Sequence, residues 1–297
     1  MPETISGFEG MPLSVVRRTI RTTLSEAGFS EVEREARLLL QHATALMPEQ
    51  LLLSDARLLT DGEAKSLADA LTRRLAHEPL SRIRGERAFY GRAFEITPAV
   101  LDPRPETETL IDLVLQWADE SGGRNRPLNI IDIGTGSGAM LITLLAELPR
   151  AMGLGTDVSP EALQVARNNA IRNAVAGRAR FELAHALDGI VGPFDILVSN
   201  PPYIPSADVL TLEAAVRDYD PALALDGGPD GLRIYRQIAA RAGAVVPSGL
   251  IALEVGAGQA ADVSRILTEN VENRRGAPWT RADLGGHDRT VALLTQC

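Results

Sequence analysis

Asn200-Pro201-Pro202-Tyr203 is a run of residues whose types point to one kind of chemistry. An amide nitrogen is a poor nucleophile, because its lone pair is delocalised into the carbonyl. To be alkylated, it must be held in line with the bond that breaks, and the delocalisation must be weakened. Two acceptors that take both N–H bonds do this. The Asn200 side-chain oxygen is one candidate. The Pro201 carbonyl is the other, since proline keeps an acceptor while lacking a donor. Pro201 and Pro202 fix the backbone, so both acceptors are placed in advance. Tyr203 offers a flat face on which a planar group can stack. Orientation of this kind supplies roughly 7–11 kcal/mol of a barrier. No general base is required, because an N-methylated cationic amide sheds its proton readily. The tetrapeptide therefore reads as an N-methylation site for a planar amide or amine.

A second group of residues names the donor. Asp132-Ile133-Gly134-Thr135-Gly136-Ser137-Gly138 lies between a predicted strand and a predicted helix. Glycines there let the backbone turn tightly and approach a ligand. Dinucleotide folds space the glycines as Gly-x-Gly-x-x-Gly to face a pyrophosphate. Here the spacing is Gly-x-Gly-x-Gly, with a carboxylate two residues ahead. S-adenosylmethionine carries an ammonium and a sulfonium and no phosphate, so a carboxylate suits it better. Asp157 ends the next strand, where an acid can accept from both ribose hydroxyls. That role fits either cofactor. Its alternative is a helix cap, since Ser159-Pro160-Glu161 opens a helix.

These residues need strands that end together. Strands are predicted at residues 128–133, 151–156, 180–183, 194–199, 250–255 and 290–295, with helices between them, such as 160–174 and 232–244. Alternation of this kind implies a mostly parallel sheet covered on both faces. Ligands then bind outside the carboxyl ends, at the switch in strand order. The strands ending at Gly134 and Asn200 should flank it. Ahead of this α/β part, residues 14–76 read as four or so helices. Ser30 with Glu33, and Thr60 with Glu63, have capping-box spacing. Residues 88–96 read as a hairpin, and Pro105 suits a first helical turn. The expected organisation is a helical bundle for substrate recognition (1–83), a β-hairpin linker (84–104) and a catalytic domain (105–297).

Bulk properties narrow the partners. The net charge is -9, which disfavours a stable grip on a nucleic-acid backbone. Arg17, Arg18, Arg21, Arg73 and Arg74 could form a local basic patch, but solvated helix faces are the plainer reading. The sole cysteine, Cys297, cannot build a disulfide or a metal site, and no metal is expected. No apolar stretch has the length of a membrane span, and no signal peptide is evident. A reducing cytoplasm is the expected compartment.

The chain resembles the HemK/PrmC-type release factor glutamine methyltransferases, a subset of class I methyltransferases. The matching pieces are Glu78-Pro79-Leu80, Phe89-Tyr90-Gly91, Pro103-Arg104-Pro105-Glu106-Thr107-Glu108, the glycine turn, Asn200-Pro201-Pro202-Tyr203, Leu225-Asp226-Gly227-Gly228 and Glu254-Val255-Gly256. Adenine-N6 methylases share the tetrapeptide alone; the Pro-Arg-Pro-Glu-Thr-Glu and Leu-Asp-Gly-Gly stretches narrow the match. The resemblance implies a Rossmann-like, doubly wound α/β fold with a small N-terminal helical domain. It implies that Gly134, Thr135, Gly136, Ser137 and Gly138 line S-adenosylmethionine and that Asp157 binds its ribose. It implies that Asn200, Pro201, Pro202 and Tyr203 hold the substrate, with Asn200 also beside the cofactor. The implied substrate is the Gly-Gly-Gln glutamine of class-1 peptide chain release factors. One position departs from the family. After the strand at 180–183 the family has an acid and a tryptophan beside the adenine; this chain has His185-Ala186, so Ala186 is expected to give only a backbone contact. An N-methylase acting on nucleic-acid adenine or a ribosomal-protein glutamine is the nearest alternative. A non-catalytic binding protein is the alternative of another class, and the intact tetrapeptide and turn argue against it.

Overall fold

A computed structural model describes residues 7–297, which form two compact units that part between Gly85 and Glu86. Among the described residues the first unit holds five helices: α1 (Leu13–Glu26), α2 (Val32–Thr44), α3 (Pro48–Leu53), α4 (Asp61–Leu75) and α5 (Leu80–Arg84). Leu13, Val16, Ile20 and Leu24 share one face of α1, at the 3.6-residue spacing of an amphipathic helix. They pack against Leu39 and Leu40 of α2 and Leu67 and Leu71 of α4. The capping box at Thr60 and Glu63 forms in both directions, Glu63 N–H to Thr60 and Thr60 N–H to Glu63. The one expected at Ser30 and Glu33 does not: α2 starts at Val32 with Glu31 in the cap position and no side-chain bond. Glu33 instead pairs with Arg21 of α1. The arginines expected on solvated faces are also engaged. Arg74 donates both arms to the buried Glu35, at 2.7 and 2.9 Å, and Arg73 pairs with Glu78 at 2.5 Å.

The second unit opens with the hairpin β1 (Glu86–Phe89) and β2 (Arg92–Glu95). It belongs to this unit's core, because Phe89 and Phe94 are buried there edge to face. Pro105 then begins a short 3-10 turn, Pro105–Thr107, that runs into α6 (Glu108–Glu120). Alternating elements follow: β3 (Asn129–Ile133), α7 (Ala139–Glu147), β4 (Met152–Asp157), α8 (Pro160–Arg172), β5 (Ala179–Leu183), β6 (Ile196–Ser199), α9 (Ala214–Arg217), α10 (Arg233–Val245), β7 (Gly249–Glu254), α11 (Ala260–Asn270), β8 (Arg274–Ala282) and β9 (Asp288–Thr295). The sheet order is β5-β4-β3-β6-β7-β9-β8. β3 to β7 pair in parallel; β9 pairs antiparallel with both β7 and β8. This is the expected doubly wound, mostly parallel sheet.

Alternate residues of the central strands feed two cores. Ile130, Ile196, Val198 and Leu250 meet α6, α7 and α8 on one face. Ile131, Leu197, Ile251 and Leu253 meet α10 and α11 on the other. β8 was not anticipated from the sequence. It is an edge strand, exposed along almost its whole length, so it shows no apolar alternation.

One buried side chain joins the hairpin to the glycine turn. The Asn169 amide, fully buried on α8, donates to the Ser137 and Glu95 carbonyls at 2.9 and 3.1 Å and accepts from Glu95 N–H at 2.7 Å. Asn169→Ala leaves these backbone groups without their partner. It is expected to lower the stability of this unit by roughly 2–4 kcal/mol in urea unfolding, whereas Asn168→Ala, on the exposed face, should cost under about 0.5. Equal effects of the two would refute the tie.

Candidate active site

β3, β6 and β7 end level with one another. Ile133 is registered against Ser199, and Ser199 against Leu253. The next residue of each strand, Gly134, Asn200 and Glu254, therefore stands at the carboxyl edge, where the strand order reverses. A cavity of about 650 Å³ opens there, within the usual range for a small-molecule site. Its wall includes Gly134, Thr135, Gly136, Ser137, Asp157, Ala186, Asn200, Pro201 and Pro202. The structure thus brings together the expected cofactor and substrate residues, with two exceptions. Gly138 does not reach the wall; it caps α7 at φ 80°. Tyr203 does not reach it either. Its ring packs against the α10 and α11 core and would stand 2.9 Å from a Cβ at position 256. The apolar ring on the wall is Phe89 of the hairpin.

The glycine turn is held by two carboxylates. Asp132 is fully buried and accepts from the Thr135 hydroxyl at 2.8 Å; its second oxygen has no partner. Burial pushes its carboxyl up to about 7, against the pull of Thr135 and of the Leu141 backbone. Asp157 accepts from Gly136 N–H at 2.9 Å and from Ser159 N–H at 3.0 Å. It is not the cap of α8, since Ser159 accepts from Ala162 N–H in that role. Asp157 lies on the wall beside Val158 and Glu161, and His185 and Ala186 lie on it too. Ala186 takes the left-handed backbone conformation, φ 49°, which is uncommon for a residue with a side chain. Acid beside a glycine turn fits a cationic adenosyl ligand: hydroxyls for Asp157, and positive charge for an acidic wall.

The tetrapeptide is clamped from behind. Ile204 N–H bonds the Leu225 carbonyl and Gly227 N–H returns to the Ile204 carbonyl, at 3.1 and 2.8 Å. Gly231, at φ 72°, lies so close that a Cβ there would stand 2.3 Å from the Tyr203 carbonyl oxygen. That contact requires glycine. Gln259 donates to the same Tyr203 carbonyl at 2.9 Å and accepts from Gly256 N–H at 3.0 Å. The Pro-Arg-Pro-Glu-Thr-Glu stretch holds the other side. Arg104 pairs with the buried Asp220 at 2.7 Å, Glu108 accepts from Tyr90 N–H at 2.8 Å, and Thr107 accepts from the Asn200 amide at 3.4 Å. Asn169, Gln259 and Glu254 were not assigned roles from the sequence. Only Glu254 sits in a stretch that carries the resemblance.

An open α/β sheet with a glycine turn and an Asn-Pro-Pro-Tyr loop side by side at its switch point defines a class I, S-adenosylmethionine-dependent methyltransferase. Comparison with known proteins agrees. Residues 16–85 match the PrmC N-terminal domain model, and residues 114–224 match the methyltransferase small domain model. The release factor glutamine methyltransferase of Bradyrhizobium diazoefficiens is 42% identical, covering 98% of this chain and 97% of that protein. The enzyme of the same name from Rhodospirillum rubrum is 46% identical over 82% of this chain and 74% of its own length. The chain belongs to the release factor glutamine methyltransferase family. A methyltransferase from Pyrococcus furiosus, 17% identical, shares the fold with a TM-score of 0.50, covering 77% of this chain and all of that one.

Two buried carboxyls make the site sensitive to pH. Asp132 and Glu254 are both pushed up to about 7, chiefly by burial, against about 4 when unfolded. A raised carboxyl pKa means that the folded state holds the proton more tightly. The associated stability is complete below about pH 4 and is lost as pH rises through 7. Between pH 5.5 and 8 the ligand-free protein should therefore lose roughly 2 kcal/mol per group. Asp132→Asn should remove about half of that slope in thermal melts. Stability that rises over this range would contradict the assignment.

Proposed function

We propose that this chain transfers a methyl group from S-adenosylmethionine to the side-chain amide nitrogen of the glutamine in the Gly-Gly-Gln loop of class-1 peptide chain release factors. The observation that carries the reading is the adjacency of Gly134–Ser137 and Asn200–Pro202 on one cavity wall. Membership of the family supplies the substrate class.

When bound, S-adenosylmethionine supplies an electrophilic methyl group and leaves as a neutral thioether. The chain's own residues do the rest. The glycine turn and Asp157 bind the adenosyl part; Ala186 contributes backbone only. The Asn200 oxygen and the Pro201 carbonyl accept the two N–H bonds of the glutamine amide. That aims its lone pair at the methyl carbon and draws electron density toward nitrogen. As the N–C bond forms, the nitrogen becomes cationic and releases one proton to water. Gly231 and Gln259 keep the Pro201–Tyr203 backbone from yielding. Tyr203 acts as an anchor of the loop, and Phe89 gives the amide plane its apolar floor. The reaction is cytoplasmic, where release factors meet ribosomes. Among the described residues, no helix is long and apolar enough to cross a membrane.

The helical unit serves recognition of the release factor. Met47, Leu52, Leu53 and Leu58 are 61%, 70%, 89% and 55% exposed on α3 and its flanks, which makes them our candidates for contact with the substrate protein. Replacing Leu52 and Leu53 together by Asp should raise KM for the release factor at least about tenfold with cofactor affinity unchanged. An unchanged KM would remove these residues from recognition.

With labelled cofactor, the purified protein should label a release factor, and a Gln→Ala change in its Gly-Gly-Gln loop should abolish labelling. Equal labelling of that variant would overturn the glutamine reading. Asn200→Ala should lower kcat at least about a hundredfold, with cofactor Kd within about tenfold, because the residue acts on the nucleophile.

A further inference from the structure

Glu254 is the one charged side chain in the row Gly134, Asn200, Glu254, and the methyl transfer described above gives it no task. It ends β7, one residue beyond the register pair Ser199 and Leu253, so it stands beside Asn200. It is 3% exposed, and its Oε2 has no hydrogen-bond partner. Its backbone is fixed, because the buried Tyr235 hydroxyl donates to the Glu254 carbonyl at 2.7 Å. Its carboxyl faces the Thr107 hydroxyl and the Asn200 amide, and both favour its charged form. Thr107 also accepts from the Asn200 nitrogen at 3.4 Å. The other charged or titratable groups facing this carboxyl are Arg289, Glu106, Tyr203 and Tyr235. Arg289 is committed to Asp283 at 2.8 Å. Among the described residues no cation forms an ion pair with Glu254. A buried carboxylate left without a counter-ion costs stability, so its place behind Asn200 asks for a reason.

We propose that Glu254 is a positioning residue: its carboxylate, together with Thr107, holds the Asn200 amide nitrogen and so turns the Asn200 oxygen toward the substrate amide. An ionised carboxylate is an acceptor only. The group that Asn200 turns to it must be the NH₂ end, and the carbonyl end then faces the cavity. The reverse orientation would present a donor to substrate N–H groups, and the site would repel the nucleophile. The negative charge behind Asn200 also polarises its amide, making the oxygen a stronger acceptor as the substrate nitrogen becomes cationic. Protonated, Glu254 becomes a donor as well as an acceptor and no longer dictates the flip of Asn200. Burial, opposed by Thr107 and Asn200, puts that transition at about 7.

The inference rests on the amide-methylation reading, and the two are tested apart. Glu254→Gln keeps the shape but can both donate and accept, so it mimics the protonated form. It should lower kcat roughly 10–100-fold with KM and cofactor Kd within about threefold. The wild-type kcat should fall on the acid side of about pH 7, and Glu254→Gln should stay at the low value throughout. Thr107→Ser should keep activity, and Thr107→Val should fall toward Glu254→Gln. A second readout needs no turnover. The side-chain NH₂ resonances of Asn200, identified by their absence in Asn200→Ala, should titrate near pH 7 in the wild type and not in Glu254→Gln. Wild-type kcat and pH profile in Glu254→Gln would overturn the inference. Should that variant fail to fold, wild-type turnover in Thr107→Val would overturn it equally. Absence of release-factor labelling by the wild type sinks the substrate reading alone, while pH-independent Asn200 resonances sink the positioning role alone.

Discussion

The site depends on the level ending of β3, β6 and β7. Parallel pairing fixes Ile133 beside Ser199 and Ser199 beside Leu253. Each of these strands is paired on both sides, so the register cannot slip by one residue without turning apolar side chains out of both cores. The residue after each strand is therefore placed by the whole hydrophobic sheet. Gly134 starts the turn proposed to hold the cofactor, Asn200 starts the loop proposed to hold the substrate, and Glu254 is proposed to back Asn200. Three roles sit on three neighbouring strand ends, at the point where an open α/β sheet naturally leaves a crevice.

A level sheet edge is not enough, because the loop beyond Asn200 has to stay still. The strand ladder stops there, and the prolines remove donors that might have continued it. Stiffness comes instead from close approach. Gly231 lies against the Tyr203 carbonyl, Gln259 bonds it, and the Leu225–Gly227 segment exchanges backbone bonds with Ile204. Tyr203 is best understood in this setting. Its ring spreads over the α10 and α11 core, which ties the end of the tetrapeptide to the unit's interior. Burial also pushes its hydroxyl pKa up, so it stays neutral.

Much of this was legible in the sequence where chemistry is local. The glycine spacing, the two prolines and the strand before each are constraints within a few residues, and the structure places Gly134, Gly136, Pro201 and Pro202 on one wall. The contacts missed in the sequence span long separations. Asn169 reaches Glu95 and Ser137, Gln259 reaches Tyr203, and Thr107 reaches Asn200, and nothing in the local pattern around any of them marks its partner. β8 was missed because an exposed edge strand rich in arginine has no apolar period. Residue type suggests stacking for Tyr203, and the long-range packing of its ring against the α10 and α11 core is not written in the residues around it. The Ser30 box does not form, because α2 starts at Val32 with Glu31 as its cap.

Two carboxyls, Asp132 and Glu254, are buried near one sheet edge, and among the described residues neither forms an ion pair. In a structure selected for stability alone, an amide or an apolar residue would serve better in each place. Their common feature is position: one lies beneath the turn proposed to receive a cationic cofactor, the other behind the residue proposed to stabilise a nitrogen that becomes cationic. Positive charge arrives at this edge with the ligands and grows during the reaction. A site preorganised for charge that is not yet present must hold the opposite charge uncompensated beforehand. The raised pKa values of the two groups follow from that burial, opposed by Thr135 and the Leu141 backbone at Asp132 and by Thr107 and Asn200 at Glu254. The register of β3, β6 and β7 is what sets these groups beside the turn and the loop they are proposed to serve.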